Sequence, residues 1–207
     1  QGTRTYVLDL GAHVDARPEH LFKFAVMDAV LTQAVDNLPN SRIGLLNIGQ
    51  EEIKGNECVK EAAKLLGGCP SINYVGFVEG DDIYKGTVDV VVCDGFVGNV
   101  FLKTTEGVTQ MINHYVKQSL NQNLWMRFTA LILLPILQKL RHKIDPRRYN
   151  GASLLGLRGI VIKSHGSADV LSFTHAIHRA LIEVQKNVPS QISHILAALL
   201  SERKHAS

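Results

Sequence analysis

Cysteine is scarce. The chain of 207 residues has three, Cys58, Cys69 and Cys93, with none of the paired spacing of a metal site, and no secretory leader opens it. Reduced thiols in a cytoplasm are the expectation. No HExxH or Cys/His zinc pattern, no GxSxG elbow and no GxxxxGK[ST] loop occurs, and "GFVGN" at 95–99 lacks the third glycine of a dinucleotide fingerprint. These absences remove the standard signatures of zinc enzymes, serine hydrolases and nucleotide-binding loops. There is no repeat and no low-complexity stretch. Long hydrophobic runs are missing too. The most apolar stretch, Phe128 to Leu137, has about ten residues and contains Pro135, whereas a spanning helix needs about 20 and proline breaks the helical ladder.

What is present is an ordinary globular composition, 45% hydrophobic and 20% charged, enough for one large domain with a substantial core. The net charge of +3 hides a segregation. Residues 117–148 hold seven basic side chains against one acid, Asp145, so the rest of the chain is acidic. A basic segment on an acidic body points to one local anionic partner rather than to nucleic acid.

Five apolar runs read as strands: Thr5–Asp9, Arg42–Ile48, Asn73–Val78, Val88–Cys93 and Gly159–Lys163. Most are continuous rather than alternating, as in strands buried on both faces of a parallel sheet. Helical patterns intervene. One opens at Pro18, one runs from Asn56 to Gly67-Gly68, and others follow residues 99, 167 and 188. The expected fold is an open, mostly parallel α/β sheet with helices on both faces. The expected organisation is one α/β domain over residues 1–207, with 117–148 as an apolar, basic helical appendage.

Four strand ends share a chemistry: "LDLGAHVD", "LLNIGQEEIKGNE", "VCDGFVGN" and "IKSHGSAD". Each replaces apolar residues with Gly, Asn, Asp, His or Ser just before a helix. Ligands of open α/β sheets bind outside the carboxyl ends of the strands, glycine admits close backbone approach, and helix N-termini suit anions. The same residues also serve as turns and caps. Asp94 either orients a neighbouring Lys or His or caps its own turn. Lys103 either reaches the site or snorkels to solvent. Cys93 reads as a small buried hydrophobe, and His175 and His178 as ordinary helix residues.

"LDLGAHVDARPEHLFKFA", "LLNIGQEEIKGNE", "VDVVVCDGFVGNVFLKTTEG" and "YNGASLLGLRGIVIKSHGSAD" together resemble the PlsX family of phosphate acyltransferases. The resemblance implies transfer of a long-chain acyl group from acyl–acyl-carrier protein to inorganic phosphate for phospholipid synthesis. It also implies a fold like that of isocitrate and isopropylmalate dehydrogenases, a homodimer, and a cytoplasmic location with loose attachment to the inner face of the membrane. No cofactor and no metal are called for. The family carries a further N-terminal portion that this sequence lacks, so little turnover is expected of these residues alone. The family has Asn where this chain has His13; either the imidazole replaces that contact or the position is dispensable.

Phosphate is largely dianionic near neutrality and the leaving group is a thiolate, so the reaction asks for positioning and charge stabilisation more than for proton transfer. Asn99, His165, Lys163 and Asp94 are the candidate catalytic residues. Gly11, His13, Asn47, Gly49, Lys54 and Asn56 are candidates for phosphate or acyl binding, as are Gly95, Gly98, Lys103, Gly166 and Ser167. In "LWMRFTALILLPILQKLRHK", Trp125, Phe128, Leu133 and Leu134 are candidates for lipid contact. Arg127, Lys139, Arg141 and Lys143 would meet anionic headgroups or the acidic carrier protein. A buried helical hairpin or a dimer interface is the alternative for this segment. Rival functions are an acyl-CoA-dependent phosphate acyltransferase, a dehydrogenase of the same fold, and a non-catalytic membrane- or carrier-binding module.

Overall fold

The structure, a computed structural model, describes residues 4–120, 135, 139 and 145–206. Within residues 124–143 only Pro135 and Lys139 are described, both helical and exposed. The readings placed on Trp125, Arg127, Phe128, Leu133, Leu134, Arg141 and Lys143 lie outside the described residues. Among the described residues no helix is long and apolar enough to cross a membrane. The chain divides into two compact units. The first comprises Gln1–Phe101, Ser153–Val161 and Ala180–Ser207, and the second Leu102–Ala152 and Ile162–Arg179.

The first unit contains a parallel sheet of four strands, β1 (Tyr6–Leu8), β2 (Ile43–Leu46), β3 (Tyr74–Val78) and β4 (Val90–Val92), in the order β1-β4-β2-β3. The three valines of β4 are fully buried because β4 is an inner strand covered on both faces. Arg42 clamps the strand starts. Its backbone N–H donates to Asp89 Oδ2 at 2.8 Å, and its guanidinium donates to both carboxylate oxygens, at 3.1 and 2.9 Å. This fork fits the planar guanidinium and holds β2 beside β4.

Helix α1 (Pro18–Asp36) begins with proline at its first turn, where a missing N–H costs nothing, and closes on Asn37 in the left-handed conformation. Leu21, Phe22, Phe24, Ala25, Val26, Met27, Val30, Leu31 and Ala34 are all buried, so this helix is covered on more than one face. Sheet strands lie on one side of it, and α2 (Glu57–Gly67) and the C-terminal helix pack elsewhere on it. Asn56 caps α2 through a bond from the Val59 N–H at 2.9 Å, and the helix closes at Gly68. A short α3 (Asp82–Lys85) follows β3, and the long α4 (Gly95–Leu120) follows β4. After β5 (Ala152–Ser153) and β6 (Ile162–Lys163) come α5 (Val170–Gln185) and the C-terminal helix, α6 (Val188–Ala206).

The α/β expectation holds for the first four runs, each trimmed at its ends. The fifth does not join the parallel sheet. Of Gly159–Lys163 only Ile162–Lys163 is strand, and it pairs with β5 in a separate two-stranded sheet. The physical reason is proximity. Gly156, with φ of 83°, turns the chain back so that Leu154 N–H reaches Val161 O at 2.9 Å. A local ladder costs little loop entropy. Val161 is 45% exposed, which a strand buried on both faces would not be.

Candidate functional site

β1, β4 and β2 are parallel and in register, with Leu8 and Leu45 both opposite Val92. The loops that follow them therefore leave one edge of the sheet, and three of the four expected strand ends share that edge. Asp9 organises the first loop. Its Oδ1 accepts the N–H groups of Gly11 and Ala12, both at 2.8 Å, and its Oδ2 accepts that of His13 at 2.6 Å. The carboxyl is 4% exposed. Burial alone would raise its pKa, but the bonds from Ala12, Gly11 and His13, with the His13 ring, hold it below the ordinary carboxylate value. The N–H groups of Gly11, Ala12 and His13 are thus occupied by the chain's own carboxylate.

The glycines of "CDGFVGN" serve close packing. A Cβ on Gly98 would lie 1.8 Å from the Asp9 carbonyl oxygen, and one on Gly95 2.8 Å from that of His13. Gly95 N–H donates to the same His13 oxygen at 2.8 Å. The first turn of α4 is thereby pressed against the Asp9 loop. Asp94 accepts the Val97 N–H at 2.8 Å and caps the helix, the second of the two roles considered for it. Cys93 is buried, and burial together with the Asp94 charge pushes its thiol up to about 12, so it is inert. Asn99 is exposed and stands over Gly11, whose φ is 132°; a Cβ there would be 3.6 Å from Asn99 Oδ1. Among the described residues the Asn99 amide makes no hydrogen bond. His13 lies 3.4 Å from Asp9 Oδ2, with its ring against His20 and Phe24.

The loop after β2 is braced internally. Asn47 N–H donates to Val78 O at 2.8 Å, and its side-chain amide donates to Lys54 O at 3.1 Å. The Lys54 ammonium pairs with Glu51 at 2.9 Å and folds across Gly49, where a Cβ would meet Lys54 Cδ at 2.4 Å. Asn56 is committed to its cap. Cys58, in the next turn, donates to Ala16 O at 3.1 Å and so ties α2 to the loop after β1.

The fourth strand end belongs to the second unit. Lys163 and Gly166 are exposed. His165 Nδ1 is 2.8 Å from Ser167 Oγ, and its Nε2 is 3.8 Å from Glu106 Oε1; Lys103 meets the other oxygen of Glu106 at 2.9 Å. Asn150 holds this loop. Its carbonyl accepts the His165 N–H at 3.0 Å, and its amide donates to Ser164 Oγ and Ser172 O at 2.8 and 2.9 Å. Beside it, Asp169 is pulled down to about 2 by the Ser172 backbone and hydroxyl and by Arg147. Asp9, Glu106 and Asn150 were missed in the sequence. Only Asp9 leaves a local trace, an acid closing an apolar strand two residues before a glycine.

The family model described as fatty acid synthesis protein matches residues 1–191. The chain belongs to that family. It is 56% identical over 204 residues to a phosphate acyltransferase of Alkalilimnicola ehrlichii, covering 99% of this chain and 59% of the relative. It is 55% identical over 197 residues to one of Nitrosococcus oceani, covering 95% and 58%, and 54% identical over 205 residues to one of Halorhodospira halophila, covering 99% and 60%. The chain thus spans about three-fifths of the length of these curated relatives.

Two outcomes follow from the Asp9 loop. Gly98→Ala forces the Asp9 carbonyl and α4 apart and is expected to destabilise by about 1–3 kcal/mol or more; an unchanged urea midpoint would contradict the packing described. Asp9→Asn turns one charged acceptor into a donor facing an N–H, at about 1–3 kcal/mol. Because the folded-state pKa of Asp9 is depressed, its contribution is complete above the unfolded value near 3.8 and is lost as pH falls through the folded one. The stability gap between parent and variant should therefore narrow in urea melts below about pH 4. A gap that is constant with pH would remove the charge from the explanation.

Proposed function

We propose that this chain forms the greater part of a phosphate acyltransferase, which moves a long-chain acyl group from acyl-carrier protein to inorganic phosphate. The observation that carries this reading is the identity of 54–56% to phosphate acyltransferases across nearly the whole chain. Neutral donors at the sheet edge of the first unit suit the reaction's need for charge stabilisation. A phosphate oxygen attacks the thioester carbonyl carbon, the C–S bond breaks and the carrier's thiolate leaves. The developing oxyanion needs a preorganised donor within hydrogen-bond reach, and one such donor is worth about 3–4 kcal/mol. The Asn99 amide suits that role, since it sits on a capped helix and makes no hydrogen bond among the described residues.

The test is mass-spectrometric detection of acyl phosphate from acyl-carrier-protein thioester and phosphate, using full-length protein. Replacing phosphate with buffer should abolish the product. Asn99→Ala should fold and lower turnover about 10²-fold. Full turnover by that variant would dismiss Asn99, and product formation only from acyl-CoA would favour the alternative donor.

Residues 124–143 are proposed as a reversible membrane contact, on their mixture of apolar and basic side chains. Each basic residue near an anionic surface contributes roughly 1 kcal/mol. That part weakens as the Debye length falls from about 10 Å at 0.1 M salt to about 3 Å at 1 M. Leu133→Glu with Leu134→Glu should release the protein from anionic vesicles without lowering its melting temperature. A collapsed melting transition would instead place the segment in a core or a dimer interface.

A further inference from the structure

The second unit brings two nitrogen groups from separate segments onto one carboxylate. Lys103 and Glu106 are neighbours on α4, and their 2.9 Å contact alone would be an ordinary surface pair. The addition is His165, whose Nε2 faces the other oxygen of Glu106 at 3.8 Å. Its tautomer follows from its neighbours. The Ser167 backbone N–H, which can only donate, reaches His165 Nδ1 at 3.2 Å, and the Ser167 hydroxyl lies 2.8 Å from the same atom. Nδ1 therefore carries the lone pair, and the ring proton sits on Nε2, on the side of Glu106. Asn150 accepts the His165 backbone N–H at 3.0 Å and so holds the loop that carries the imidazole. The result is an ammonium in contact with one oxygen of Glu106 at 2.9 Å and an Nε2–H on the side of the other at 3.8 Å, beyond direct hydrogen-bond reach but open to a larger anion.

We infer that Glu106 is an internal stand-in for the phosphate substrate: Lys103 and His165 form an oxyanion seat, and Glu106 occupies it until phosphate displaces it. This rests on the phosphate acyltransferase reading for the identity of the ligand. Displacement is cheap, because Glu106 is 32% exposed at its side chain and Lys103 59%. A dianion offers both partners more charge than the carboxylate it replaces. Lys103 and His165 are then phosphate ligands, and Glu106 sets how much phosphate is needed to fill the seat. The sign of its effect separates this role from a supporting one. A residue that braces the site weakens binding when removed, whereas a competitor strengthens it.

The experiment is calorimetric titration of full-length protein with inorganic phosphate at low ionic strength. Glu106→Gln keeps shape and removes charge. It should tighten phosphate binding about three- to tenfold, with the gain shrinking as salt screens it. Lys103→Gln and His165→Gln should each weaken binding. In turnover assays Glu106→Gln should lower KM for phosphate more than it changes kcat. Circular dichroism and melting of the Glu106→Gln variant check its fold. Unchanged or weaker phosphate binding by Glu106→Gln overturns the inference, as does the absence of measurable phosphate binding by the parent protein. Tighter binding by the variant in a parent that makes no acyl phosphate sustains the anion seat and sinks the acyltransferase reading instead.

Discussion

The first unit depends on the contact between the main chain of Asp9 and the first turn of α4. Gly98 lies so near the Asp9 carbonyl that any side chain would overlap it, and the Asp9 carboxylate gathers the N–H groups of the next loop. Backbone on both sides of this contact is pinned, because Asp9 N–H donates to Cys93 O at 2.9 Å and Cys93 N–H to Leu8 O at 2.8 Å. One residue thus joins the end of β1, the end of β4 and the start of α4. Close-packed backbone transmits displacement rather than absorbing it, so the position of Asn99 is set by this contact and not by its own interactions.

Charge follows a common pattern in both units. Two buried or half-buried anions of the first unit are answered locally, Asp9 by main-chain donors and Asp89 by Arg42. The lysines proposed for phosphate are answered too, Lys54 by Glu51 and Lys103 by Glu106. These last pairs are exposed, and exposed pairs are worth little. They keep cationic side chains folded over their loops at low cost while leaving them open to a stronger anion. The Arg42–Asp89 fork has the opposite character. Its multiple bonds fix strand register, where exchange would be harmful.

Much was legible in the sequence where the signal is short-range. Pro18, Asn56 and Gly68 mark helix ends by chemistry that acts within one turn. The valines of β4 announce a strand covered on both faces, and the four quoted motifs carry the family. The Gly159–Lys163 run was misplaced because an apolar run does not name its partner. Gly156 gave it a nearby one.

The sequence by itself determined the α/β class, the helices and their caps, and the family. Only the tertiary structure decided what the residues at the strand ends touch. Gly95 and Gly98 are pressed against the carbonyls of another segment. Asp94 caps a helix, and Asp9, which drew no attention, anchors a loop. Lys103 and His165 meet on Glu106 although nothing in either string mentions the other. The reason is one of range. Propensity, periodicity and capping act over a few residues and are written where they act, whereas a carbonyl or a carboxylate delivered by a distant segment has a position that only the folded chain defines.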